Sequence, residues 1–178
     1  MKAILISIKP KYVAKILNGK KTIEIRKTMP KCDLPIDVYI YCTKGKETIA
    51  INPYGGYATI FNKYKNEYFN GKVVAKFTLN KVEEITPSNL DNFAKSSCLL
   101  VRELELYLWS NICFGYAWYI SNLVIFDRPK ELSEFRYAVC PKTNCEYCEY
   151  NKTVEGDLYC TRKTLTKAPQ SWCYVEVE

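Results

Sequence analysis

Lys20-Lys21-Thr22-Ile23-Glu24-Ile25-Arg26-Lys27 is the stretch on which the reading of this chain turns. From Thr22 onward it alternates, with Ile23 and Ile25 on one side and Thr22, Glu24 and Arg26 on the other. A period of two is that of a strand with one apolar face. Same-side residues of a strand stand roughly 6.5–7 Å apart, so the three polar side chains form a ladder.

Working outward, Ala3 to Ile8 reads as a first strand, with Ile4, Ile6 and Ile8 on one face. Pro10 suits the first turn of a helix, where its missing N–H is no loss. Tyr12, Val13, Ile16 and Leu17 recur at helical spacing, and Asn18-Gly19 supplies the stop. Downstream, Val38, Ile40 and Cys42 alternate with Tyr39, Tyr41 and Thr43 in another strand. Residues 44–70, rich in Gly, Asn, Tyr and Lys, read as an insertion with a short helix around Phe61 to Tyr68. A long strand is expected from Lys72 to Val82, a helix opening at Pro87, another from Val101 to Trp109, and a strand from Tyr116 to Asp127 ended by Pro129. Residues 140–167 read as a cysteine-bearing loop, and Trp172 to Val177 as a last short strand. Strands outnumber helices without regular alternation, which excludes a doubly wound parallel sheet. The fold class is α+β, a small mixed β-barrel with flanking helices, formed as one domain over residues 1–178.

Composition narrows the function classes. With 48% apolar and 25% charged residues the chain is globular rather than disordered. No apolar run approaches the roughly 20 residues of a membrane span. The N-terminus ends its apolar run at Lys9-Pro10 and lacks a signal-peptide cleavage site, so a cytoplasmic protein is expected. Lys and Arg number 26 against 19 Asp and Glu, and the net charge of +7 favours polyanionic partners. Fifteen Tyr, three Trp and seven Phe supply rings that can stack on unpaired bases, although most are expected in the core. There is no histidine, so acid–base chemistry would rest on Lys, Glu, Asp, Tyr or Cys.

Nine cysteines, an odd number at scattered positions, do not read as a disulfide framework. Cys140, Cys145, Cys148 and Cys160 fall within about twenty residues of polar loop and form a candidate four-thiolate set for structural Zn²⁺. Only one pair has the Cys-x-x-Cys spacing, which weakens the pattern.

The polar ladder is the candidate site. A small barrel fills its interior with apolar groups, so the ladder faces solvent or a cleft. Glu24 can accept hydrogen bonds from a base amino or imino group, and Arg26 can fork onto a phosphate or orient Glu24. Lys9 and Lys21, at the two ends of the first helix, can add positive charge for a phosphate. The structural alternative is an ion pair between Glu24 and Arg26 at the barrel mouth. Tyr119 and Trp172 are candidate walls for a base, whereas Trp118 shares a face with Ile120, Val124 and Phe126 and belongs to the core. In the insertion, Lys63, Tyr64, Lys65, Tyr68 and Lys72 alternate rings with amines, a pattern that suits single strands as well as an ordinary solvated loop.

Ser7-Ile8-Lys9-Pro10 followed by Ile16-Leu17-x-Gly19-x-Lys21-x-x-Glu24-x-Arg26-Lys27 resembles the motif of ASCH domains, of the PUA-like superfamily. Gly115-Tyr116-Ala117-Trp118-Tyr119-Ile120-Ser121 and Pro169-Gln170-Ser171-Trp172-Cys173-Tyr174-Val175 resemble later strands of bacterial and prophage members. The resemblance implies a barrel of the PUA-like type, a cleft between the first helix and the barrel mouth, and binding of RNA or a nucleobase. It also implies alternatives. One branch of the family hydrolyses acetylated cytidine with a Lys, a Thr and a distant Glu. The Lys falls on Lys21, but the Thr falls on Glu24, with Thr22 displaced by one ladder step and Glu103 or Glu105 as candidates for the distant acid. Lys21, Thr22 and Glu24 are thus the catalytic candidates if the chain is an enzyme. Another branch consists of ribonucleases. A third possibility is a phage-encoded protein that binds and blocks a host complex.

Overall fold

A computed structural model describes residues 1–52, 55–61, 69–109, 114–138, 151–154, 157–160 and 164–177. The chain opens with β1 (Lys2–Ile8), α1 (Pro10–Leu17) and β2 (Ile23–Arg26). It continues through β3 (Ile36–Cys42), β4 (Glu47–Ile51), β5 (Tyr57–Phe61) and β6 (Val73–Ile85). Then come α2 (Asp91–Ser97), α3 (Val101–Trp109), β7 (Gly115–Lys130), β8 (Arg136–Tyr137), β9 (Asn151–Val154), β10 (Asp157–Cys160) and β11 (Trp172–Glu176). No helix among the described residues is long and apolar enough to cross a membrane.

Seven strands form one mixed sheet in the order β2-β7-β6-β3-β1-β11-β8. Among the described residues only β1 and β3 run parallel, in the register Ile4 with Val38 and Ile6 with Ile40. A parallel pair needs a crossover, and α1 lies on that connection. The α+β class is as expected, but the ladder does not close into a barrel among the described residues, since β2 and β8 stand at opposite ends of the order. The free edge of β2 is covered instead of paired: the Thr22 N–H donates to Ser96 O at 2.9 Å and α2 packs against the strand.

Three apolar clusters hold the layers together. On one face of the sheet Ile4, Ile6, Val38, Ile40, Phe77 and Trp118 pack under Val13, Ile16 and Leu17 of α1. The alternate residues Ala3, Leu5, Tyr39 and Tyr41 meet Phe135, Leu165 and Val175 on the other face. Both faces of β1 are therefore buried, which is why it reads as a nearly continuous apolar run. The third cluster joins Ile23, Ile25 and Ala117 to Phe93, Leu104 and Leu108, and so mounts α2 and α3 on the end of the sheet that carries β2.

Several boundaries differ from the sequence reading. The insertion contains a β4–β5 hairpin packed on α1, pinned where Asn18 Nδ2 donates to Tyr57 O at 2.6 Å and the Tyr57 N–H to Asn18 Oδ1 at 2.8 Å. The helix expected around Phe61 to Tyr68, with Lys63, Tyr64, Lys65 and Tyr68, lies largely outside the described residues. Lys72 is committed to an ion pair with Glu131 at 2.8 Å. Strand β7 runs through Pro129, because the ladder skips from Ile125 to Lys130 and asks no N–H of the proline. Of the zinc candidates, Cys140, Cys145 and Cys148 lie outside the described residues, as does the side chain of Cys160 on β10.

Two predictions concern this framework. A Cβ on Gly115 would collide with Cδ2 of Leu108 and stand 3.3 Å from its Cγ, and Leu108 is fully buried. Gly115→Ala is therefore expected to cost about 1–3 kcal/mol by overpacking, visible as a lower urea midpoint. Burial pushes the thiols of Cys42 and Cys173 up, to about 12 and about 11 from an ordinary 9.0. Above pH 9 the unfolded chain holds fewer protons than the folded one, so stability declines as pH rises toward 11–12. Urea midpoints measured from pH 8 to 11 are expected to fall, and to fall less in Cys42→Ala at the alkaline end.

A cleft between the first helix and the polar strand

Local backbone chemistry brings the polar residues together. Lys9 caps α1 in extended conformation with Pro10 in the first turn, and Gly19 ends it in the left-handed region at φ +68°. The Lys20 and Lys21 N–H groups both donate to Lys15 O, at 2.9 and 3.1 Å, which doubles the chain back under the helix. Lys21 therefore leads into β2 with its side chain turned inward and only 2% exposed.

Its ammonium is held by Ile23 O and Ser97 O, both at 2.8 Å, and by Glu24 Oε2 at 3.2 Å. The other oxygen of Glu24, Oε1, meets Arg26 Nη2 at 3.0 Å. Arg26 Nη2 also donates to Ser7 O at 2.7 Å, and Nη1 to Ser171 Oγ at 3.2 Å. Its Nε is buried and has no hydrogen-bond partner among the described residues. Glu24 and Arg26 are 8% and 7% exposed. One carboxylate and two cations thus form a nearly buried row with an excess positive charge.

Above this row opens a cleft of about 410 Å³. Ser7, Lys9 and Tyr12 border it from the start of the chain, and Leu99, Glu103 and Tyr107 from α3 and the turn before it. Gln170 and Ser171 close a third side. That segment is tied to β1 where Ser7 Oγ donates to Pro169 O at 2.6 Å and the Ser7 N–H to Ser171 O at 2.9 Å. Each tyrosine has lysines over its ring: Lys11, Lys15 and Lys21 stand 4.7, 5.8 and 5.5 Å from Tyr12, and Lys27 stands 5.3 Å from Tyr107. Partial burial raises the Tyr107 hydroxyl above its ordinary value; Arg26 opposes this and Glu24 adds to it. Hydrogen bonding to Tyr12 raises Lys11.

Of the residues singled out from sequence, Lys9, Lys21, Glu24 and Arg26 line this cleft. Three do not. Thr22 is exposed and lies in a separate hollow of about 440 Å³ with Glu83, Asn89 and Ser96, because β2 begins only at Ile23 and the alternation does not reach back to it. Tyr119 borders that same hollow, its hydroxyl donating to Glu83 Oε2 at 2.6 Å. Trp172 is half buried against Trp118 and Tyr174, with ring centroids 5.5 and 5.4 Å away, and its Nε1 donates to Thr28 Oγ1 at 3.0 Å. A Thr22 nucleophile for amide hydrolysis thus sits apart from Lys21's cleft. Trp118 is fully buried, as expected. Glu103 is at the rim, its Oε2 accepting the Leu100 N–H at 2.8 Å, while Glu105 is not among the lining residues.

The sequence reading missed Tyr12, Tyr107 and Ser171. Tyr12 was absorbed into the apolar stripe of α1, although Lys11 and Lys15 beside it on the helix mark a wet edge. Tyr107 directly precedes Leu108, and with Leu104 and Leu108 facing the core it falls on the edge of the helix.

The family model for the ASCH domain matches residues 6–130, which include every element of the cleft except residues 170 and 171. The chain belongs to the ASCH domain family. Over 107 residues it is 30% identical to a Zymomonas mobilis subsp. mobilis protein named ASCH domain-containing ribonuclease, covering 51% of this chain and 72% of that one. The crystal structure of ASCH from Zymomonas mobilis superposes with a TM-score of 0.59 at 16% identity, covering 98% of this ASCH chain and 87% of that one. A serine-to-alanine variant of the same protein gives a TM-score of 0.59 at 15% identity, covering 98% and 88%. A tyrosine-to-phenylalanine variant gives 0.52 at 17% identity, over 74% and 77%.

Proposed function

We propose that this ASCH domain binds single-stranded RNA, admitting one unpaired nucleotide to the cleft above Lys21, Glu24 and Arg26. The observation that carries this reading is the convergence of a nearly buried carboxylate and two cations beneath an opening bordered by Tyr12 and Tyr107. A buried polar row of this kind is costly to assemble and supplies oriented hydrogen-bonding groups in a water-poor setting. Rings bearing ammonium groups suit a base on one side and its phosphates on the other. Lys9, exposed at the rim, and Lys11 and Lys27 beside the tyrosines are placed for the backbone of the strand.

Fluorescence anisotropy with a labelled heptanucleotide, repeated from 50 to 300 mM salt, tests it. Binding is expected to weaken with salt, with a log–log slope of about −0.7 for each phosphate neutralised on a single strand. Lys9→Gln is expected to reduce that slope by less than one unit while leaving the fold intact. Absence of binding at low salt, or tighter binding to duplex than to single strand, contradicts the reading.

A second reading, cleavage of the bound strand, is supported by the name of the Zymomonas relative and by Tyr107, which lines the same cleft as Arg26. Lys9 at the rim would stabilise the charge that develops on the phosphate, and Tyr107 would hold or pass the proton. Electrophoresis of end-labelled RNA decides between binding alone and turnover. Shortened products lost in Tyr107→Phe support cleavage, and intact RNA after prolonged incubation rules it out.

A further inference from the structure

Building on the RNA-binding reading, we infer that the cleft selects guanine, with Glu24 and Arg26 reading its Watson–Crick edge. The argument begins with the hydrogens that are already in use. An ammonium has three donors, and Lys21 directs its three at Ile23 O, Ser97 O and Glu24 Oε2. Lys21 has none left for a ligand, so it is a positioning residue that fixes the carboxylate. Glu24 is the reverse case. Each of its oxygens meets one cation, and a carboxylate has about four acceptor sites, so each oxygen retains capacity on a group that lines the cleft.

A carboxylate locked between two cations presents acceptors only, and among the four bases guanine alone offers it two adjacent donors, N1–H and N2–H. Adenine and cytosine offer one amino group beside a ring nitrogen whose lone pair faces the carboxylate. Uracil offers a single N–H between two carbonyl oxygens. On guanine the next group along the edge is O6, an acceptor. The cation flanking Glu24 Oε1 is Arg26, of whose five N–H groups, among the described residues, the Nε–H is buried and unpartnered and the Nη1 nitrogen reaches Ser171 Oγ. The order donor, donor, acceptor on the base thus meets carboxylate and guanidinium in the row. A phosphate in the same place would face the carboxylate with Lys21 already saturated, so the base points inward and the phosphates lie along the rim lysines.

The test uses five labelled heptanucleotides, three uridines on each side of a central G, A, C, U or inosine. Guanine is expected to bind on the order of ten- to a hundredfold more tightly than A, C or U, the discrimination of one good bidentate pair. Inosine keeps N1–H and O6 but lacks the amino group, and is expected to fall between. Glu24→Gln presents one acceptor and one donor, which match the amino group and ring nitrogen of adenine and of cytosine, so the preference for G over A and C is expected to be lost. Equal binding of all four bases within twofold overturns guanine selection while leaving RNA binding standing, whereas no binding to any heptanucleotide overturns both. Inosine equal to guanine on the native protein also overturns the assignment, whether or not Glu24→Gln folds.

Discussion

Lys21→Met is expected to lower the unfolding free energy by about 3–5 kcal/mol, because one partner of a buried, hydrogen-bonded ion row is removed and the others remain. Methionine has a similar reach, so little packing is lost and the effect isolates the charge. Two carbonyls, Ile23 O and Ser97 O, lose their donor, and Glu24 keeps only Arg26. For a domain of this size each kcal/mol lowers Tm by roughly 2–4 °C, so a fall on the order of 10 °C is the expected reading in a thermal melt. The loss would also unfasten α2 from β2, since the Lys21 ammonium bridges Ser97 O and Ile23 O. A fall under about 1 kcal/mol would mean that the row is solvated in solution.

The second large effect is on RNA. Tyr12→Ala and Tyr107→Ala each remove a ring from the lip of the cleft, and stacking of a base on an aromatic side chain contributes roughly 1–3 kcal/mol. The double variant is expected to weaken a labelled heptanucleotide by roughly 2–6 kcal/mol if both rings stack, which is about thirtyfold at the least. Stability should change much less, since Tyr107 is 41% exposed and Tyr12 half buried. Undiminished affinity in the double variant would remove the rings from the account and leave only charge.

Much of this arrangement was legible in the residues, and the gaps have physical causes. The apolar periods of β1 and α1 and the stop at Asn18-Gly19 are local features, and the structure places them as read. Glu24 and Arg26 were legible as one polar face because alternation is a property of the strand itself. What alternation does not report is where a strand begins. Thr22 was carried into the ladder, while the turn that reverses α1 puts Lys21 there instead. Trp172 and Tyr119 lie away from the cleft for a related reason: a strand pattern tells which face a ring takes, and only the sheet order tells what stands opposite. Trp172 packs against Trp118 in the core cluster under α1, and Tyr119 is paired with Ile23 and bonded to Glu83, away from the cleft. Tyr107 and Ser171 are distant in sequence from β2 and reach the site only through tertiary packing, so no local period shows that they meet β2.

The central claim is that RNA occupies the cleft above the charged row, and a titration of the ¹⁵N-labelled protein with an unlabelled heptanucleotide tests it most directly. Backbone signals of Lys9, Tyr12, Lys21, Glu24, Arg26, Tyr107 and Ser171 are expected to shift together with one dissociation constant. Shifts confined to Thr22, Glu83, Asn89 and Tyr119, on the separate hollow, would contradict the account.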